Sequence, residues 1–508
     1  VKRRSFSLAA GLAVAAASLS LAACTETTGE DGAAGGVLRI AGYGEDDVNF
    51  SVGWNAQNPE LSLMAKALYD SLFISDGGLA LAPGLATKWS YDEARTTLTV
   101  DLRDDVTFSD GSTLDAQDVK STLDWWVDFD ANYASVYGGA DVVDDRTLVI
   151  NLKKPNGYFL TGLLSIAITS SEAIADPESM VTDPIGTGPY VLNRDDSIEA
   201  SRYVFDKREE AWEADNYPFE QLVFQMVGVE PSAAVNALRS GQVDFVPSTD
   251  GSTADSVVAE GYQAIPYPQL YFYIAFDTTG ATVPELADLR VRQAINYAID
   301  RVGIAENVNY GYGNPSAQVD VNPDGPMYRP ERGGDYAYSV DEAKSLLAEA
   351  GYPEGFDMDM VAFEGVFDAY EPVIRQAFAD IGINLDFVEA SVDTAVEEYA
   401  SARYSSLLVG SDTSSVSSDY ALGSIINPWP GNTTPELSAL LDTLNTGDDE
   451  ERAQAYAELG DFMLDEAWIA VLAHPGVVQL ADPEVVAFRD GYKSWLGMIP
   501  LRAIVPAP

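Results

Sequence analysis

Few side chains in this 508-residue sequence carry reactive chemistry: one cysteine, Cys24, and one histidine, His474, beside 80 aspartates and glutamates. A single histidine excludes HExxH zinc centres, His-rich metal sites and two-histidine haem sites. A Ser-His-Asp triad would have to use His474, and no Gly-x-Ser-x-Gly elbow supplies its serine. A GxxxxGK[ST] phosphate loop is also absent. His474 runs into Pro475-Gly476 and reads as a structural residue; neither a metal nor a cofactor is expected. So many acids make carboxylate pairs unavoidable, which leaves open a surface hydrolase using two carboxylates roughly 5–9.5 Å apart. Cys24 has no disulfide partner, so stability must come from packing. Its thiol, a group able to form a thioether, closes Leu21-Ala22-Ala23-Cys24. Ahead of it lie a charged start (Lys2, Arg3, Arg4), an uncharged and mostly apolar run from Leu8 to Ala17, and small residues. That is the anatomy of an export signal. The run is short and broken by Ser18 and Ser20, whereas a membrane-spanning helix needs roughly 20 apolar residues.

Leu21–Cys24 resembles a lipobox, the signal of bacterial lipoproteins. The resemblance implies loss of residues 1–23 as a signal peptide and a diacylglycerol on the Cys24 thiol. The protein would then sit at the cell surface or in the periplasm, held by lipid to the outer face of the cytoplasmic membrane. Arg3-Arg4-Ser5-Phe6 also resembles a twin-arginine start, which leaves the export route open. Residues 24–36 read as a flexible tether with a span of about 20 Å, since Thr25–Gly36 holds no large apolar residue. Beyond the signal the chain has 80 acidic and 26 basic residues, a net charge of −54. Such a surface repels nucleic acid and anionic headgroups, so no nucleic-acid partner is expected.

The elements that must position any site follow from periodicity. Val37–Ala41 reads as a first strand, and Leu61, Met64, Ala65, Leu68 and Leu72 form one apolar helical face. From Ala86 to Leu152 short alternating runs indicate an antiparallel region, interrupted by a helix bearing Val119, Leu123 and Trp126. Ile185–Tyr190 packs two glycines and a proline into a tight bend, from which a strand leaves. Phe219–Val227 reads as a strand, Pro231 to Gly241 as a helix, and Gln269–Phe276 as a buried strand. Further on, Asp288–Arg301 is an amphipathic helix, and Ser339-Val340-Asp341-Glu342 a capping box. A long helix near Glu450–Ala467 leads to a strand at Ile469–Ala473. Helices alternate with strands, so this last region reads as α/β. The length exceeds what one core organises, and two or three lobes are expected.

In this order the segments resemble the extracellular solute-binding proteins of ABC importers, in the cluster of oligopeptide- and dipeptide-binding lipoproteins (solute-binding protein family 5). The resemblance rests on Leu68-Tyr69-Asp70-Ser71-Leu72, Pro83–Trp89, Asp101–Gly111 with Asp118-Val119, Gly186–Tyr190, the Arg290–Arg301 helix and Glu342–Tyr352. It covers about residues 37–490. It implies a periplasmic-binding-protein-like α/β fold: two α/β lobes with a hinge, plus an extra mixed α/β subdomain. Lobe I would comprise 37–60, 181–277 and 474–508, the extra subdomain 61–180 and lobe II 278–473, with crossovers near Asp277 and His474. Ligand would lie between the lobes, which close over it and present it to permease transmembrane subunits served by a separate ATPase. A monomer without catalysis is expected.

For the ligand, the resemblance points to a peptide. In oligopeptide-binding relatives an aspartate in a Trp-x-x-Asp-Tyr-like stretch pairs with the peptide ammonium. Ser418-Asp419-Tyr420 is the nearest match, although the tryptophan is absent and Ala421-Leu422 replaces the usual Asp-Pro. A carboxylate is the natural partner of a desolvated ammonium, which makes Asp419 and Tyr420 candidates. The alternative ligand is an oligosaccharide, stacked on aromatic faces drawn from Tyr43, Trp54, Tyr271, Tyr273 and Trp429. Each of these aromatics could equally be core.

Overall fold

The computed structural model describes residues 36–44, 48–52, 62–75, 81–228, 230–267, 270–323, 325–412, 427–489 and 499–508. The signal, Cys24, most of the tether, Trp54, Asp419 and Tyr420 lie outside the described residues. Among those described, no helix is long and apolar enough to cross a membrane.

Two sheets organise the chain. The first has seven strands in the order Gln263–Tyr267, Val477–Ala481, Phe245–Thr249, Val37–Gly42, Gln221–Met226, Arg202–Lys207 and Tyr190–Ile198. Val37–Gly42 runs parallel to both of its neighbours. The second has five strands in the order Asn384–Ala390, Asp357–Phe363, Ser406–Asp412, Leu270–Phe276 and Ile469–Ala473. Its first three strands are mutually parallel and the other two alternate in direction. A separate four-stranded antiparallel sheet spans Ala86–Tyr91 to Thr147–Leu152. There Leu98, Val100, Leu148 and Ile150 are fully buried in alternation with more exposed neighbours. This is the mixed α/β architecture expected, with two lobes and an extra subdomain.

Two boundaries move. Leu270–Phe276 pairs along its whole length with Ser406–Asp412, so it is a lobe II strand, and the chain leaves lobe I between Tyr267 and Leu270. Asp277 is no hinge: its buried carboxylate accepts the N–H and hydroxyl of both Thr279 and Thr282, pinning a turn. The helix Ser62–Leu68 places Leu63, Met64, Ala67 and Leu68 in the lobe I core rather than in the subdomain. Burying each of the leucine and methionine side chains contributes ~1.5–3 kcal/mol, enough to decide which body the helix joins.

Local signals are met with two departures. Asp288–Arg301 divides into helices Leu289–Ala298 and Arg301–Asn307, because Asp300 caps the second through Gly303 N. Ser339 Oγ accepts from Glu342 N, but the reciprocal half of that capping box is not formed. Complete boxes occur at Asp115/Asp118 and Asp448/Glu451.

The subdomain is welded to lobe I at the Gly186–Tyr190 bend. A Cβ at Gly186 would lie 2.0 Å from the Leu68 carbonyl oxygen, and one at Gly188 2.5 Å from the Leu68 carbonyl carbon. Only glycine allows that approach. The buried Arg208 guanidinium donates to the carbonyls of Gly186, Gly188, Thr107 and Phe108 through its two terminal nitrogens, while its Nε reaches the Glu210 carboxylate at 3.3 Å. Arg292 and Arg301 act alike in lobe II, donating to the carbonyls of Glu466 and Val471 and so tying their helices to the return strand.

Beneath the bend lie two buried acids. Asp70 accepts from Trp212 Nε1 and Thr187 Oγ1 at 2.8 and 2.9 Å, and Glu213 from Tyr217 Oη at 3.0 Å. Burial, reinforced by the Asp70 carboxylate, pushes Glu213 up to about 7. A folded value above the ordinary 4.5 means the protonated form is favoured by folding. That stabilisation is complete below pH ~4.5 and is lost as pH rises through about 7. Denaturant titrations at pH 5.5 and 8 should therefore show wild type losing ~1–3 kcal/mol from this group. Glu213→Gln, a mimic of the protonated acid, should flatten that slope.

Candidate functional site: the crevice between the lobes

Strand direction fixes where the lobes face each other. In lobe I the parallel strands Val37–Gly42, Gln221–Met226 and Phe245–Thr249 end at one edge. Antiparallel pairing puts Val477, and through it Tyr267, at that same edge. In lobe II the parallel strands end at Phe363, Ala390 and Asp412. Antiparallel pairing brings Leu270 opposite Asp412 and Ala473 opposite Phe272. Both connections, Tyr267 to Leu270 and Ala473 to Val477, thus join the carboxyl edge of one sheet to the carboxyl edge of the other. In α/β sheets ligands bind outside the carboxyl ends of the strands, and here two such edges confront each other.

A third segment braces this junction. Asn309–Asn314 of lobe II reaches toward lobe I, where a Cβ on Gly251 would lie 2.9 Å from the Asn309 carbonyl oxygen. Asn314 N donates to the His474 carbonyl at 3.0 Å, and a Cβ on Gly476 would strike the Tyr312 carbonyl oxygen at 2.1 Å. Tyr310 sits there with φ 53° and its side chain exposed, a backbone state costly for an aromatic residue.

His474 is fully buried beside the return connection. Its Nε2 lies 2.7 Å from the Gln318 carbonyl oxygen, which can only accept, so Nε2 carries the proton. Burial lowers the imidazole to about 4, the Gln318 bond opposes this, and Arg301 adds to it. The ring is neutral at physiological pH, in contact with Tyr271 at a centroid distance of 6.0 Å. Among the described residues, buried polar atoms without a hydrogen-bond partner occur on the elements that meet at the junction: Thr249 Oγ1, Asn309 Nδ2, His474 Nδ1 and Gln479 Nε2. Buried groups are ordinarily satisfied, so these elements hold unused hydrogen-bonding capacity.

The candidate residues divide. Tyr43 lies at the lobe I edge, buried, its hydroxyl donating to the Ser248 carbonyl. Tyr271 and Tyr273 lie on the first lobe II strand, fully buried and stacked at 5.1 Å, with Tyr273 Oη 3.4 Å from Ser411 Oγ. Trp429 does not join them. Its Nε1 donates to Thr279 Oγ1, its ring packs on Tyr399, and its neighbours Asn427 and Asn432 bind the Phe276 carbonyl. Phe276 is the far end of the strand that starts at the crossover, so Trp429 belongs to the lobe II core at the end away from the crevice. Asp419 and Tyr420 lie outside the described residues. Sequence reasoning missed Thr249, Asn309 and Gln479. The run Tyr310-Gly311-Tyr312-Gly313-Asn314-Pro315 was the available signal for the brace.

Two α/β lobes confronting each other edge to edge across paired connections define a hinged solute receptor. The chain belongs to the bacterial extracellular solute-binding proteins, family 5, whose Middle-region sequence model matches residues 80–432. It is a substrate-binding protein of the ABC-importer type. It is similar to Heme-binding protein A of Haemophilus influenzae, 27% identical over 97% of this chain and 99% of that one. It is also similar to the glutathione-binding protein GsiB of Salmonella paratyphi A, 26% identical over 82% and 86% of the two chains. In fold it matches the periplasmic binding protein DppA of Helicobacter pylori, solved with the peptide STSA: TM-score 0.68, 19% identity, 94% of this chain and 99% of that one.

Because His474 is the only histidine, its imidazole signal in an NMR titration needs no assignment. It should report the Nε2–H tautomer and stay neutral down to about pH 5, since folding holds it near 4. With the folded value below the ordinary 6.5, its contribution to stability is present above pH ~6.5 and lost on acidification toward about 4.

Proposed function

We propose that the protein captures peptides in the crevice between its lobes and delivers them to a membrane permease. The observation that carries this is the meeting of two carboxyl edges across short connections, beside which one buried polar atom each of Thr249, Asn309, His474 and Gln479 has no partner among the described residues. A peptide offers main-chain N–H and C=O groups in matching kind. Among the similar proteins, one holds a bound peptide and another is named for glutathione, itself a peptide. Haem fits this chain less well, because the one histidine is fully buried against Gln318. Closure is a hinge motion at the two connections, driven by the extra affinity of the ligand for the closed form. It needs no covalent chemistry. Asp419 is assigned to the peptide ammonium, with Tyr420 beside it.

Native mass spectrometry of protein lacking residues 1–24, followed by thermal shifts with what co-purifies, tests the reading. A set of peptide masses is expected, with binding weakened about tenfold or more in Asp419→Ala, since unpairing a desolvated charge costs several kcal/mol. Hexose-spaced masses, or measured turnover of any peptide, would sink it.

Cys24 is proposed as the lipid attachment point. In Cys24→Ser the thioether cannot form, and fractionation should move the protein from the membrane pellet to the soluble fraction. Persistence in the pellet at wild-type level would reject the anchor.

A further inference from the structure

A second concavity lies away from the crevice, between the extra subdomain and lobe II. It is a groove of about 820 Å³, within the size range of small-molecule sites. One wall is the subdomain, from Trp126 to Ile166; the other is the lobe II helix Pro435–Thr446, through Asp442, Asn445 and Thr446. None of the crevice residues Tyr43, Thr249, Tyr271 or His474 lines it. The walls are held together at one point. Gly157 N donates to Asn445 Oδ1 at 3.2 Å, and Arg452 Nη2 donates to the Gly157 carbonyl at 2.7 Å.

The lining has a definite chemistry. Tyr133 stacks between Tyr137 and Phe159, at centroid distances of 4.9 and 5.7 Å and interplanar angles of 19° and 17°. The Tyr133 hydroxyl is buried and has no hydrogen-bond partner among the described residues. Phe129 leans on Trp125 at 4.1 Å while remaining 38% exposed beside the cavity. Around these planes stand the neutral groups of Asn132, Asn156, Ser135, Ser165 and Thr446. Charges are few: Lys154 against Asp130 and Asp442, and the Asp130 carboxylate already caps a helix. A charged ligand would find little to neutralise it. A hydroxyl-rich ring finds the exposed Phe129 ring for its C–H surface, backed by the Tyr133 stack, and amides and hydroxyls for its oxygens.

We propose that this groove is a second ligand site, taking a neutral carbohydrate ring between the extra subdomain and the Pro435–Thr446 helix. Its walls belong to two bodies, so an occupant favours the arrangement in which Gly157 is clamped by Asn445 and Arg452. By linkage it then biases lobe closure.

The test is calorimetric titration of the mature chain with two probes, chitotetraose and maltotetraose. Phe129→Ala, Asn156→Ala and Tyr133→Phe serve as groove variants and Asp419→Ala as the crevice variant. Thermal melting verifies that each variant is folded, and Tyr133→Phe, which removes an unpaired hydroxyl, should melt no lower than wild type. The expected result is saturable binding of at least one probe, weakened fivefold or more in Phe129→Ala and Asn156→Ala and unchanged in Asp419→Ala. No saturable binding of either probe overturns the proposal. Sugar binding indifferent to the groove variants overturns it as well. If that binding falls in Asp419→Ala, the sugar belongs to the crevice, and the peptide reading fails with it. Loss of peptide binding in Asp419→Ala with sugar binding intact leaves both readings standing.

Discussion

Both connections between the lobes must leave from the carboxyl edges of their sheets, and the rest of the molecule follows from that constraint. Had either connection left from the opposite edge, the lobes would meet back to edge and no shared crevice would form. The constraint is met by strand direction alone. Val477–Ala481 runs antiparallel to Phe245–Thr249, and Leu270–Phe276 antiparallel to Ser406–Asp412. It also sets what surrounds the hinge. Backbones converge there from three segments, which is why Gly251 and Gly476 have no room for a side chain.

The extra subdomain belongs mechanically to lobe I. Arg208 gathers carbonyls from both bodies, and the Gly186–Tyr190 bend lies against the Leu68 carbonyl. Against lobe II the subdomain makes the Gly157 contacts at the rim of a groove. The closure proposed above would thus move lobe I with its subdomain against lobe II. The buried arginines serve this rigidity in a way suited to a chain of net charge −51. Most of their hydrogen bonds go to backbone carbonyls, fixed by the fold itself, and only Glu210 and Glu466 add carboxylates whose attraction salt would screen.

Much of the fold was legible because it is written in short-range patterns. Alternation announced Leu98 to Leu102, Pro231 announced its helix, and Ser339 and Gly351 marked both ends of another. The lobe boundary was harder to read, because Leu270–Phe276 is apolar on both faces and would suit either sheet. Its membership is decided by a partner strand far along the chain. The site was least legible for the same reason. An aromatic residue looks alike in sequence whether it lines a cleft or, as with Trp429, packs in a core. Asn309 and Gln479 acquire meaning only when the crossovers bring their elements together.

The position of Val477–Ala481 has a consequence for how the chain is made. Among the described residues Gln263–Tyr267 has that strand as its sole partner, and Phe245–Thr249 relies on it along one side. Lobe I therefore stays an incomplete sheet with a bare edge throughout synthesis of the whole of lobe II. Lobe II can close its own sheet as soon as Ile469–Ala473 arrives. The order of maturation is thus the reverse of the order of translation: the lobe begun first is finished last, by a strand that reaches it just after the return connection.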